Sequence, residues 1–217
     1  MFTCTSCNRN FNDQAGLTHH LQISLAHAFD CKPCGQVINS WELLRVHCES
    51  TLHQRMINSP LNAFFRSWSG FVFHVQLPPH RNWDELRKFC CWNVQSPQYR
   101  AAWIRYQDAL ASEVTIWFGD VLELESWHKL CGAVGISPLP MTCADGYWAI
   151  RDLHVNIIDL IQWARTGRGN GEVKRWKNNA DLFEYSIATK KIFERDLTTT
   201  DTPNIVLRHL ANCMLPR

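Results

Sequence analysis

No run of 18 or more apolar residues occurs in the chain, which excludes an ordinary membrane-spanning helix. The start, MFTCTSCNRNFND, lacks a basic segment followed by an apolar one and does not read as a signal peptide. A charge excess of one sign is missing as well, since the formal net charge is +2. From Met1 to Ile57, Arg9, Lys32, Arg45 and Arg55 stand against Asp13, Asp30, Glu42 and Glu49, four against four and a net of zero. A module that grips a nucleic-acid backbone usually carries a surplus of Lys and Arg. The chain also has no Walker loop, no dinucleotide-binding glycine pattern and no nucleophile elbow. The expectation from these absences is a protein that is not an enzyme.

What remains is ordinary globular composition, 46% hydrophobic and 19% charged over 217 residues, enough for a core plus small accessory modules. The ten cysteines are too few for a disulfide framework in a chain this long. Four of them form two C-x2-C pairs, each followed by histidines, the pattern of metal binding in a reducing compartment. A nuclear or cytoplasmic location is expected.

The second pair is the cleaner. Cys31 and Cys34 lead after twelve intervening residues to His47, and after five more to His53. Two cysteines on a tight knuckle and two histidines at a helix end complete a tetrahedron around zinc, with Phe29, Ile38 and Leu44 as the small apolar core. The first pair, Cys4 and Cys7, again leaves twelve residues before His20, with Phe2, Phe11 and Leu17 in the matching apolar positions. Its last ligand is His27, with six residues between it and His20, one more than the usual spacing, which a loosened last helical turn can absorb. His19 is the substitute for His20, but it breaks the spacing to Cys7 and Leu17. Modules of about 25 residues bury too little apolar surface to fold without metal, so two structural Zn2+ ions are expected. Cys48 adjoins His47 and is expected to point away from the ion.

In a DNA-reading finger, helix positions −1, 3 and 6 meet base edges. Here those positions hold Asp13, Gly16 and His19, then Ser40, Leu43 and Val46, with no Arg, Asn or Gln for bidentate base contacts. Trp41, Leu43 and Val46 instead form an apolar strip that needs a cover, from the chain itself or from a partner. Only Ala28, Phe29 and Asp30 separate His27 from Cys31, so the pair is expected to be rigid. The segments HCESTLH and LQISLAH resemble the U1-like, double-stranded-RNA-binding finger subclass, in the wide His–His gap and in the serine ahead of the final histidine. That resemblance implies recognition of RNA by shape and backbone.

After Asn58-Ser59-Pro60 the apolar residues fall at helical spacing. Asn82 is expected to cap a helix carrying Trp83, Leu86, Phe89 and Cys90. Pro97 is expected to open a long one with Tyr99, Trp103, Tyr106, Leu110, Val114 and Trp117 on its inner stripe. Asp120 is expected to cap a third, with Leu124, Trp127, Cys131 and Val134 inward, and Asp145 a fourth, bearing Ile150, Leu153, Ile157, Ile161 and Ala164. Shorter helices are expected over 180–189 and 203–212, with an extended piece over 173–176. The architecture is therefore mainly α with small ββα elements: two tandem Cys2His2 fingers at 1–57 (2–27 and 29–53) and a helical domain at 61–217. The segments LNAFFRSWSGF, RYQDALASEVTIWFG, SWHKLCGAVGI, DLHVNIIDLIQWAR and IVLRHL resemble a group of fungal proteins that place Cys2His2 fingers before a shared helical region. The resemblance covers most of the chain and implies this architecture without implying an activity.

Three further groupings bear on function. Arg165, Arg168, Lys174, Arg175 and Lys177, with Trp176 among them, suit a single strand or an RNA end; their alternative is a solvated helix terminus. His128, Cys131, Cys143 and His154 could make a third metal site, although a buried thiol and a core histidine are the commoner outcome. Cys90-Cys91 lacks a histidine partner, and TGRGNG at 166–171 follows a helix, so it reads as a turn and not a phosphate loop. The leading expectation is an adaptor with a protein partner, through a rigid finger pair and a helical domain; RNA or DNA binding is the alternative.

Overall fold

The computed structural model describes residues 1–4, 7–23, 29–31, 37–38, 41–166 and 171–194. The chain divides into two compact units, Met1–Asn58 with His74–Gln76, and Ser59–Phe73 with Leu77–Arg217.

The first unit is built from very short pieces. Strand β1 (Phe2–Thr3) pairs antiparallel with β2 (Asn10–Phe11), Phe2 lying opposite Phe11. Between them the chain reverses at Cys4, whose carbonyl accepts from the Asn8 N–H at 2.7 Å and whose N–H donates to the Arg9 carbonyl at 2.8 Å. Asn8 supplies the left-handed backbone that this reversal needs, with φ 57°. Asp13 then accepts from the Gly16 N–H at 2.7 Å, which satisfies the first turn of α1 (Gln14–Ile23). The pattern repeats with β3 (Phe29–Asp30) and β4 (Val37–Ile38), Phe29 opposite Ile38, followed by α2 (Trp41–Glu49).

Helix α2 does not run on. Ser50 breaks it and caps α3 (Thr51–Ile57), its hydroxyl donating to the His47 carbonyl at 2.7 Å and accepting from the His53 N–H at 3.1 Å.

The second unit is helical: α4 (Pro60–Arg66), α5 (Pro79–Phe89), α6 (Pro97–Phe118), α7 (Leu124–Ala133), α8 (Cys143–Ile150), α9 (Ile157–Arg165) and α10 (Asn179–Thr189). The long helix expected after Pro97 is present, opened by Ser96, which accepts from the Tyr99 N–H at 3.1 Å. It is the central element, with α4, α7 and α9 packed against it, while α7 also packs on α8. Its stripe carries Tyr106, Leu110, Val114 and Trp117 into the core. Trp83 of α5 stacks on Tyr106 with centroids 4.8 Å apart and meets Trp103 at 5.1 Å, so much of the core's apolar surface is aromatic.

Several expected boundaries move. Helix α5 starts at Pro79, and Asn82 lies inside it, donating to the Leu77 carbonyl at 3.3 Å; proline's fixed φ opens the helix earlier than the asparagine would. Asp120 caps no helix; it accepts from the Leu122 N–H at 3.0 Å, and α7 begins later, at Leu124. The single helix expected from Asp145 is two. Thr142 caps α8 by accepting from the Asp145 N–H, and Asn156 caps α9 by accepting from the N–H groups of Ile158 and Asp159. The helix at 180–189 is present as α10, capped by Asn178. In the segment 173–176, Val173 donates to the Ala133 carbonyl and Trp176 bridges His154. The helix expected at 203–212 lies outside the described residues. No helix among the described residues is long and apolar enough to cross a membrane.

Candidate metal centres

Each ββα element gathers cysteine and histidine at one point. In the first, β1 delivers Cys4, the turn delivers Cys7, and the inner side of α1 delivers His20; their donor atoms all lie within 4.8 Å of one another. Cys7 Sγ stands 3.2 Å from His20 Nε2, and Phe11 packs on the imidazole with ring centroids 4.7 Å apart. Cys4 is only 2% exposed and His20 is buried, whereas the neighbouring His19 is exposed. Around a tetrahedral zinc with bonds of about 2.3 Å to sulfur and 2.0–2.1 Å to nitrogen, two sulfurs lie about 3.8 Å apart and a sulfur and a nitrogen about 3.6 Å apart. The Cys7–His20 separation is a few tenths of an ångström shorter than that edge, and thiols brought together beside an imidazole are the donor chemistry that zinc takes. His27 lies outside the described residues.

In the second centre Cys31 and His53 are buried, with Cys31 Sγ 3.1 Å from His53 Nε2. The third donor within 4.8 Å is Cys48, its Sγ 3.9 Å from that of Cys31. This corrects the expectation that Cys48 points away, which assumed an uninterrupted helix. The break at Ser50 frees His53 from the rotational register of α2 and lets it meet the face that carries Cys48. The His47 ring lies against His53, centroids 4.3 Å apart. The expected ligand His47 is not among the donors gathered within 4.8 Å, where Cys48 stands instead. Burial, helped by His53, lowers the His47 pKa. Burial and the neighbouring Cys31 raise the Cys48 pKa. Cys34 lies outside the described residues.

On the outer side of α2, Leu43 and Val46 are 57% and 53% exposed. The side chain of Trp41 is outside the described residues.

The basic cluster does not survive as drawn. Arg165 is 7% exposed and forms an ion pair with Glu113, itself 0% exposed. Its guanidinium also donates to Ser59 Oγ at 3.0 Å and to Asn62 Oδ1 at 2.8 Å. Glu113 accepts in addition from the Leu61 N–H at 3.1 Å and from Trp117 Nε1 at 2.9 Å. Arg165 is thus a core cation that ties α9 to α4 and α6, because a carboxylate waits inside for it. Trp176 is also engaged: its ring packs on Tyr185 with centroids 4.6 Å apart, and Lys174 Nζ lies 3.7 Å from its centroid. Lys174, Arg175 and Lys177 are exposed, and Arg168 lies outside the described residues.

The four residues weighed as a third metal site are not among the donor groups assembled by the described residues. His128 Nε2 is 2.8 Å from the Pro140 carbonyl, Cys143 donates to the Leu122 carbonyl, and Cys131 is fully buried. Cys90 and Cys91 end α5, and burial raises the Cys90 pKa, keeping it a thiol.

A polar cluster that sequence reasoning missed joins α9 to the chain after α10. Lys191 Nζ meets Asp159 Oδ1 at 2.6 Å, and Tyr185 donates to Asp159 Oδ2 at 2.8 Å. Asn156, fully buried, donates to Ser186 Oγ and to the Lys191 carbonyl, each at 2.9 Å. His80 lies nearby, its pKa pushed down to about 4 by burial and by Lys191 and Arg81. Only Asn156 carried a readable sign, as a helix-capping residue directly before the apolar run IIDLI. No family model matches the chain, and neither the curated proteins nor the solved structures provide a match.

Proposed function

We propose that the chain is a non-enzymatic, zinc-stabilised binding module, in which two tandem Cys2His2-type fingers, each holding one structural Zn2+, accompany a helical domain. The observation that carries this reading is the repeated gathering of Cys and His donor atoms, within 4.8 Å, at the junction of a two-stranded turn and a helix. With four protein ligands on each ion no position is left for a reacting water, so zinc here builds shape. The working surface in this reading is α2, with Leu43 and Val46 exposed and no base-reading side chain at its reading positions. A protein partner suits that surface better than a nucleic acid does, and the resemblance to finger-bearing fungal proteins fits the same architecture.

Metal analysis of the purified chain tests the reading. Two equivalents of zinc are expected, falling to about one in Cys31→Ser, because loss of a ligand empties one centre and leaves the other. A preparation refolded with zinc that retains none would overturn it. The nucleic-acid alternative rests on exposed Lys174, Arg175 and Lys177, and it is weakened by the engagement of Arg165 and Trp176 elsewhere. It calls for binding to generic RNA or DNA that falls steeply with salt.

A further inference from the structure

We infer that Cys48 is a ligand of the metal ion at the second centre. The inference rests on the zinc-binding reading above and changes its donor set: Cys48 holds a position on the ion beside Cys31 and His53, although the C-x2-C…H-x5-H spacing does not include it.

Three observations carry it. Cys48 Sγ is 3.9 Å from Cys31 Sγ, close to the about 3.8 Å edge of a tetrahedral zinc–thiolate site. The same thiol lies within 4.8 Å of the donor nitrogen of His53, so the three atoms can share one ion. The backbone explains why. On one continuous helix Cys48 and His53 would be separated by about 140° and could not converge. Helix α2 instead ends at Glu49, and Ser50 starts α3 in a new direction by bonding to both the His47 carbonyl and the His53 N–H. Under this arrangement the C-x2-C…H-x5-H spacing does not give the ligand set.

Cobalt(II) substitution of the full chain, kept reduced, reads the thiolate count through its sulfur-to-metal charge-transfer band. Cys48→Ser is expected to lower the band at saturation, with zinc affinity at that centre falling more than about tenfold. A band of unchanged intensity in Cys48→Ser, with two cobalt ions still bound, overturns this inference and leaves the zinc reading intact. A wild-type chain that gives no charge-transfer band overturns both. Should Cys48→Ser fail to fold, thiol alkylation of the zinc-loaded wild type decides. Cys48 is expected to resist the reagent until a chelator is added, while the exposed Cys91 reacts throughout. Labelling of Cys48 at the rate of Cys91 before chelation overturns the inference.

Discussion

Arg165 shows how far a single charged residue can be read from sequence. Beside Arg168, Lys174, Arg175 and Lys177 it looks like part of a basic surface, and its place in the last turn of α9 would suit a solvated helix end. The residue that decides the matter is Glu113, 52 positions away and fully buried. A sign was available: Glu113 stands three residues after Leu110 and four before Trp117, on the apolar face of α6. A carboxylate on such a face needs a partner, but nothing local names which cation supplies it. Removing one member of a buried pair strands the other charge without compensation. Arg165→Met is therefore expected to destabilise the helical unit by about 3–5 kcal/mol, measured by urea unfolding. The double change Arg165→Met with Glu113→Leu is expected to cost less than Arg165→Met alone. If Arg165→Met is neutral and only nucleic-acid affinity drops, the residue works at a surface after all.

At the scale of elements, apolar spacing located the inner faces and misplaced the ends. Ile150, Ile157 and Ile161 are spaced by seven and four, so the face appears continuous although α8 stops at Ile150 and α9 starts at Ile157. Capping chemistry makes the break, since Thr142 and Asn156 each satisfy the free N–H groups of a new first turn. The finger-like elements were legible for the opposite reason. Their Cys and His spacing is the one a single metal geometry dictates, so residues alone convey Cys4, Cys7 and His20 as neighbours, and Cys31 with His53. The helix break at Ser50 escaped, and with it the replacement of His47 by Cys48 among the gathered donors. Packing between elements is less legible still. Gly146 of α8 faces Trp127 of α7, and a Cβ placed there would come within 2.8 Å of the tryptophan side chain. Gly146→Ala is expected to cost about 1–3 kcal/mol by pushing the two helices apart, visible as a lowered thermal midpoint. An unchanged midpoint would mean that the α7–α8 contact yields without strain.

The whole molecule combines two units with different sources of stability. The helical unit buries Leu86, Leu110, Val114, Leu130, Ile150 and Ile161 completely, an apolar core that is expected to hold without an ion. The first unit has two-residue strands and few buried apolar side chains among the described residues, and in the proposed reading metal supplies what its core does not. Composition hinted at this division, because the C-x2-C pairs sit at one end and nine of the ten tryptophans lie beyond residue 60. That uneven distribution provides the readout. Chelation of zinc is expected to remove the helical signal of α1, α2 and α3, roughly a quarter of the helix among the described residues, while tryptophan emission holds its wavelength. Returning zinc should restore the far-ultraviolet signal, since refolding of such a centre requires only its ligands and the ion. Loss of helix together with a red-shifted emission would show that the helical core also depends on the metal. In that case the burial of its leucines and isoleucines is not sufficient to hold it, and the independence of the two units fails.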